Sequence, residues 1–229
     1  MRISIIIPTY NEAPLIEPLL EQLIKYSDER VVDIIVADGG SDDNTRELAI
    51  AKGAKVLVCP TGRACQMNKA IEHAQGDVYY FVHADCQPPN TFIKDITDAI
   101  SEGYEIGCYR FQFEKQDLRL RINAYFTRYN LLMMRGGDQT LFVTQSLFKK
   151  LQGYDSNYVI MEDFDLIRRA RKICKFKIFE KSVLISARKY EHNGYFKVQF
   201  ANLYAFLQFY FGAKPEKIKQ AYHRHLKLN

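Results

Sequence analysis

"VYYFVHADCQPP", residues 78–89, is a run of bulky apolar residues that stops at a histidine, an alanine and an aspartate and then meets two prolines. An uninterrupted apolar run of this length reads as a strand covered on both faces, the signature of a parallel sheet lying between helix layers. Upstream, 2–7, 31–37 and 54–59 read the same way, and with 77–82 they make four strands. Between them, 13–26, 42–52 and 63–75 carry apolar residues at helical spacing. The rhythm β-α-β-α-β-α-β predicts an α/β fold with a mostly parallel central sheet flanked by helices.

Downstream the regularity fades. Residues 90–102, 118–134, 162–174 and 195–212 read as helices, and 105–113, 139–143 and 176–186 as strands, which leaves a helical C-terminal region. No repeat and no linker-like stretch divides the 229 residues, so they read as one domain.

Composition narrows the function classes. Apolar residues make up 47% and charged residues 26% without a low-complexity tract, which excludes disordered and fibrous classes. The cysteines at 59, 65, 86, 108 and 174 are odd in number and form no C-x-x-C pair, so neither a disulfide framework nor a structural zinc site is expected, and a reducing cytoplasm suits the chain. Its opening apolar run is broken by Ser4 and closed by Pro8, too short for a signal peptide or a membrane span, and reads as a first strand. The net charge of +5 owes much to Lys214, Lys217, Lys219, Arg224 and Lys227. With no helix-turn-helix, zinc-finger or RNP-type signature, nucleic acid is not expected as a partner. A phosphate-bearing substrate or an anionic membrane surface suits such a balance.

Open parallel sheets bind ligands beyond the carboxyl ends of their strands. Here those ends read "PTYNE", "DGGSDDNT", "PTGRACQMN" and "HADCQPP", all rich in groups that grip a polar ligand. In the last, His83, Asp85 and Gln87 would share one side of an extended segment, because side chains alternate with period two. Oxygen ligands with open positions suit Mg²⁺ or Mn²⁺ carried in by a diphosphate. Asp38 lies before a Gly-Gly turn and is expected to face the cleft, accepting a hydrogen bond from a base or ribose, while Ser41 or Asp42 caps the next helix. Arg63 at a helix start matches phosphate oxygens, and Asn68 lies more than one turn further on. In "MEDFDLIRRARK", Glu162, Asp163 and Asp165 crowd a first helical turn, where the helix dipole favours carboxylates and one of them could serve as a base.

With these loops in hand, the chain resembles the inverting nucleotide-sugar glycosyltransferase family with the GT-A (nucleotide-diphospho-sugar transferase) fold, of the family 2 type. "IIIPTYNE", "VADGGSDDNT", "GRACQMNKAIEHAQGDVYYFVHAD" and "MEDFDL" look like its successive motifs, in order and over nearly the whole chain. The GR-x-x-QMN, HAD, GGDQ and MEDFDLIRRAR stretches further resemble a small bacterial subgroup associated with arsenosugar biosynthesis and radical-SAM/selenodomain proteins.

The resemblance implies roles position by position. Thr9, Tyr10 and Glu12 would contact the nucleotide, Asp38 would read the base, and Arg63 and Asn68 would lie near the diphosphate. Asp85 matches the last aspartate of the D-x-D metal motif, Gln87 an assisting position, and Asp163 the general base. His83 replaces the first D-x-D aspartate, which leaves one firm carboxylate for the divalent cation. Asp138 and Gln139, in "RGGDQ", would face the acceptor. Residues 1–90 become a nucleotide-binding half, 91–190 an acceptor-binding half and 191–229 aromatic and basic C-terminal helices. The donor would be a nucleoside-diphosphate sugar, by default a UDP-sugar, and the acceptor is unknown. No tryptophan exists for the Q-x-x-R-W motif of polymer-making members. Two rival functions remain, a sugar-phosphate nucleotidyltransferase, which would open on a G-x-G-T-R-like loop, and a non-catalytic nucleotide-sugar-binding protein. In the tail, Phe196, Phe200, Leu203, Leu207 and Tyr210 fall on one helical face, expected to pack as core or as a homodimer contact. Peripheral membrane contact there becomes attractive if the acceptor is lipid-linked.

Overall fold

In the computed structural model, which describes residues 1–226, β1 (Ile3–Thr9), β2 (Val31–Asp38), β3 (Lys55–Val58) and β4 (Val78–Phe81) are parallel and lie in the order β3-β2-β1-β4. They are connected by α1 (Ala13–Lys25), α2 (Thr45–Ala51) and α3 (Arg63–Ile71). The chain continues through β5 (Cys86–Gln87), α4 (Phe92–Ser101), β6 (Ile106–Phe113), α5 (Leu118–Phe126), β7 (Leu141–Thr144), α6 (Gln145–Lys150), α7 (Glu162–Ala170) and β8 (Lys177–Ile185). It ends in α8 (Arg188–Asn193), α9 (Tyr195–Tyr210) and α10 (Pro215–His225). All eight strands form one sheet, β3-β2-β1-β4-β7-β6-β8-β5. Its second half is mixed: β7 runs antiparallel to β4 and β6, β8 parallel to β6, and β5 antiparallel to β8.

Both faces of the sheet are covered, which is why β1 is apolar almost throughout. Ile3, Ile5 and Ile7 pack with Ile16, Leu19, Leu20 and Leu23 of α1 and with Phe92, Ile93 and Ile96 of α4. Ile6 points the other way, to Ala64, Met67 and Ala70 of α3 and Leu166, Ile167 and Ala170 of α7. Each such isoleucine, fully buried, contributes about 1.5–3 kcal/mol to folding.

Local chemistry moves several boundaries. Helix α2 begins at Thr45, and the side chain that closes its entry is Asp43, accepting from Thr45 N at 3.0 Å and Ala13 N at 3.1 Å, in place of Ser41 or Asp42. The helix expected over 118–134 stops at Phe126, because the buried guanidinium of Arg135 takes the carbonyls of Thr127 and Tyr129 that a continuing helix would use. Short α6 and α8 and the two-residue β5 were not anticipated, whereas α10 is a helix within the basic C-terminal segment expected to be helical. A larger correction concerns α9. Its buried residues are Val198, Ala201, Ala205 and Phe209, which pack on Ile218 and Tyr222 of α10, while the five-residue apolar face, expected to pack as core or as a homodimer contact, is exposed and so does not join the core. Of the basic C-terminal residues, Lys214, Lys217, Lys219 and Arg224 are exposed and Lys227 lies outside the described residues.

Candidate active site

From β1 the chain runs outward through β2 to β3 and then returns to place β4 on the other side of β1. A crevice opens at such a switch point, beyond the carboxyl ends of β1 and β4. One wall is built by a polar side chain the sequence reading passed over. Gln66 Nε2 donates to the carbonyls of Thr9 at 2.7 Å and Ala37 at 2.8 Å, tying the loops after β1 and β2 together. Its place in "GRACQMN", one turn into a helix that starts at the crevice, was the available signal.

Asp38 is turned inward, with none of its surface exposed. Its carboxylate accepts from Thr9 Oγ1 at 3.1 Å, from the backbone of Gly40 at 3.1 Å and Ser41 at 2.9 Å, and from the Ser41 hydroxyl. The expectation that it faces the cleft is therefore not met: its own loop claims both oxygens, and Thr9 is buried with it. Tyr10 is exposed at the loop tip. Glu12 reaches across the molecule to Arg188 Nη2 at 3.1 Å. Burial raises the Glu12 carboxyl, and Arg188 opposes the shift. Arg188 was not anticipated; a cation two residues beyond the end of a strand was its only trace.

The opposite wall follows from strand direction. Because β7 is antiparallel to β4, its first residue, Leu141, pairs with Phe81, the last residue of β4. Asp138, just before β7, is thereby brought to the segment that follows β4. That segment is a turn, closed by Cys86 N donating to His83 O at 3.0 Å. His83, Asp85 and Gln87 accordingly do not share a side by strand alternation. Asp85 keeps the company of Asp138 and Arg63, and burial and then Asp138 push its carboxyl up. His83 is buried, its Nδ1 has no partner, and burial together with Arg63 lowers it to about 3, so it is neutral. Gln87 is exposed on β5, on a hollow of about 20 Å³ shared with Asp85, Glu114 and Ser186. Gln139 is buried, its Nε2 unpartnered and its Oε1 3.4 Å from Cys108 Sγ.

Helix α7 sorts the acidic cluster. Asp165 turns back to Arg168 Nη2 at 2.9 Å and Arg169 Nε at 2.7 Å, and Arg169 also holds the carbonyls of Leu151 and Gly153. Glu162 and Asp163 are buried at the crevice. Arg63 Nη1 stands 4.0 Å from Glu162 Oε1 with 53% of the Arg63 side chain exposed. Four carboxylates, Glu162, Asp138, Asp85 and Asp163, surround this guanidinium and hold it charged. Burial, then Asp163, raises Glu162 to about 8; burial raises Asp163 to about 6, opposed by Arg63 and by the Tyr154 hydroxyl, which donates to Asp163 Oδ1 at 3.1 Å. Asn68, expected near the diphosphate, instead brackets Tyr154: its Nδ2 donates to Tyr154 O at 2.8 Å and its Oδ1 accepts from Tyr154 N at 3.0 Å. The bracket needs Gly153, whose φ is +72° and where a Cβ would come within 2.9 Å of Asn68 Oδ1.

The crevice thus gathers Glu12, Asp85, Asp138, Glu162 and Asp163 against Arg63 and Arg188, with Asp38 and Asn68 behind its walls. Among the described residues no three His, Cys, Asp or Glu side chains form a ready-made metal cage.

A fold of this topology with carboxylates at the switch point defines the GT-A class of glycosyltransferases. The chain belongs to glycosyl transferase family 2, whose model matches residues 4–170. It is 35% identical over 105 residues to glycosyltransferase AglJ of Haloferax volcanii, a match covering 45% of this chain and 34% of the relative. The chain spans about a third of the length of such curated relatives. Among solved structures, that of S. aureus TarS 1–349 in complex with UDP-GlcNAc has a TM-score of 0.68 at 18% identity, covering 98% of this chain and 71% of that one. Glucosyl-3-phosphoglycerate synthase from Mycobacterium tuberculosis, in complex with Mn²⁺, UDP and glucosyl-3-phosphoglycerate, has a TM-score of 0.61 at 18% identity, covering 88% and 78%.

Proposed function

We propose that the crevice transfers a sugar from a nucleoside-diphosphate sugar, by default a UDP-sugar, to an acceptor hydroxyl with inversion at the anomeric carbon. The observation that carries the reading is Asp163: a carboxylate at a helix start, buried opposite a charged arginine and raised to about 6, where a general base works best near neutral pH. Asp163 takes the acceptor proton, the freed oxygen attacks the anomeric carbon, and the nucleoside diphosphate departs. Arg63, charged and open to the crevice, faces the negative charge that builds on the leaving diphosphate. Tyr10 and Glu12 lie on the nucleotide side.

The donor set fits a divalent ion that arrives with the diphosphate. Burial and the neighbouring Asp138 raise the cost of ionising Asp85, which a cation would relieve, and neutral His83 beside them has an unpartnered Nδ1. Magnesium-type sites of this kind need only one or two protein carboxylates plus substrate phosphates, which is why the lack of a cage is no obstacle. When bound, Mg²⁺ or Mn²⁺ would neutralise charge on the leaving group. Within the family we assign the chain, on its GR-x-x-QMN, HAD and GGDQ stretches, to the arsenosugar-associated subgroup, acting in the cytoplasm.

The test needs no acceptor. With Mn²⁺, UDP should raise the melting temperature of the purified protein, since a ligand that binds only the folded state stabilises it. Incubated with UDP-glucose or UDP-GlcNAc, the protein should slowly release UDP to water. Release of pyrophosphate from a sugar phosphate and UTP, or indifference to every nucleoside diphosphate with and without metal, would overturn the reading.

A further inference from the structure

Helix α9 packs through Val198, Ala201, Ala205 and Phe209 and leaves most of its other large apolar side chains outside. Phe196 is 75% exposed and Phe211 80%, with Phe200, Leu203, Leu207 and Tyr210 exposed between them. A second segment lies alongside. The Tyr195 hydroxyl donates to Asn123 Oδ1 of α5 at 3.0 Å, and the Arg119 guanidinium sits 5.2 Å from the Tyr195 ring centre. From α5 onward Leu118, Ile122, Tyr125, Phe126, Tyr129, Leu131 and Met133 are also exposed. Of the twenty large apolar side chains exposed among the described residues, fourteen fall in 118–133 and 196–211, so exposure is concentrated on one body of surface instead of being scattered. Patches of that kind mark contact with another apolar phase.

Charge identifies the phase. Neither 118–135 nor 195–214 contains an aspartate or glutamate, whereas Arg119, Arg121, Arg128, Lys197 and Lys214 lie within them. Arg119 is paired with Asp117, and Arg128 sits 3.7 Å over the Tyr125 ring. Arg121, Lys197 and Lys214 are exposed, and Lys217, Lys219 and Arg224 of α10 extend the basic rim. A two-fold contact between copies would bring these like charges together. Anionic lipid headgroups oppose them, with Phe, Tyr and Leu entering the acyl boundary. Among the described residues no helix is long and apolar enough to cross a membrane, which leaves docking in the interface plane.

We propose that the joined outer faces of α5, the 127–133 segment and α9 dock this protein on an anionic membrane surface. Phe164, next to Asp163, meets Phe206 at 5.8 Å and Phe209 at 6.2 Å, and Arg168 of the same helix lies 4.4 Å over Phe209. Docking through α9 therefore holds the α7 wall of the crevice one helix away from the lipid. The surface stands whatever the crevice catalyses.

Co-sedimentation with vesicles tests it directly. The full chain should pellet with phosphatidylcholine–phosphatidylglycerol vesicles at low salt, much less with pure phosphatidylcholine, and progressively less as salt rises. Replacing Phe196→Ser, Leu207→Ser and Phe211→Ser together should weaken partitioning by at least about tenfold, since buried apolar area and charge attraction add. Ile50→Ser, at an exposed apolar position on α2, should leave it unchanged, and both variants should keep the parent melting temperature because the altered side chains are outside the core. No pelleting with anionic vesicles at low salt overturns the proposal. So does a chain that runs as a dimer by light scattering and becomes monomeric in the triple variant, for then the occupant is a second copy.

Discussion

The two walls of the crevice treat carboxylates in opposite ways. On the β1–β2 wall, Asp38 is entirely buried, yet Thr9, Gly40 and Ser41 supply a donor for each lone-pair direction its loop uses. On the β7–α7 wall, the buried Glu162 and Asp163 have between them one half-exposed arginine and one tyrosine hydroxyl. Desolvated charge with too few partners is costly, and it persists in folded proteins chiefly where substrate or an ion completes it. A satisfied buried carboxylate is scaffold; an unsatisfied one is available for chemistry. The same contrast recurs within a single turn of α7, between Asp165 with its two arginines and Asp163 with none in contact.

That pair gives the sharpest way to break the comparison. Asp163→Asn should lower turnover by about 10²- to 10⁴-fold while UDP affinity stays within a few-fold and the melting temperature holds or rises. Asp165→Asn should do the reverse: a loss of about 1.5–3 kcal/mol of stability as two arginines lose a charged acceptor, with turnover of the folded fraction reduced far less. Steady-state kinetics beside chemical denaturation would separate them. An Asp165→Asn enzyme that is folded and dead, next to an active Asp163→Asn, reverses the assignment.

A smaller effect is expected at Tyr154, which would act as a positioning residue through the proposed base, Asp163. Its hydroxyl favours ionised Asp163, so in Tyr154→Phe the acid limb of the kcat profile should move to higher pH. At pH 6 the loss should be about tenfold and should shrink above pH 8, where the base is ionised either way. Asn68→Ala, which frees the Tyr154 backbone, should lower kcat with little change in donor KM and cost about 1 kcal/mol of stability. A pH profile unmoved by Tyr154→Phe would leave the hydroxyl a packing group.

How far these positions were legible follows from the range of the forces involved. Strands β1 to β4 and the loops after them could be read because apolar runs and turn residues are local signals, and Asp85, Arg63 and Asp163 sat at recognisable element ends. What could not be read was partnership. Whether Asp38 faces a ligand or Ser41, and whether Asn68 meets a diphosphate or a backbone 86 residues away, is decided by tertiary approach. Asp138 became central only because β7 runs antiparallel to β4, a direction that periodicity does not encode. The α9 face shows the same limit: helical spacing located the aromatic stripe, but the alanines opposite it fit the tighter contact and took the inside.

The gentlest effect is a slope of stability with pH. Glu162 is raised to about 8 and Asp163 to about 6, from ordinary values of 4.5 and 3.8, and Asp85 and Glu12 shift the same way. Above the ordinary values the folded protein holds protons that the unfolded chain has released. The stability these protons contribute is complete below about pH 4 and is lost as pH rises through 6 and then 8. In the absence of metal and nucleotide, the melting temperature should therefore fall between pH 5 and pH 8.5, by about 2–4 °C for each kcal/mol lost in a chain of this size. Glu162→Gln should flatten the upper part of that decline and Asp163→Asn the lower part, while Asp38→Asn, on the satisfied wall, should lower the melting temperature because the donors of Thr9, Gly40 and Ser41 lose a charged acceptor. A flat wild-type curve, or one whose slope survives both α7 substitutions, would mean that the charges on the two walls are equally well met.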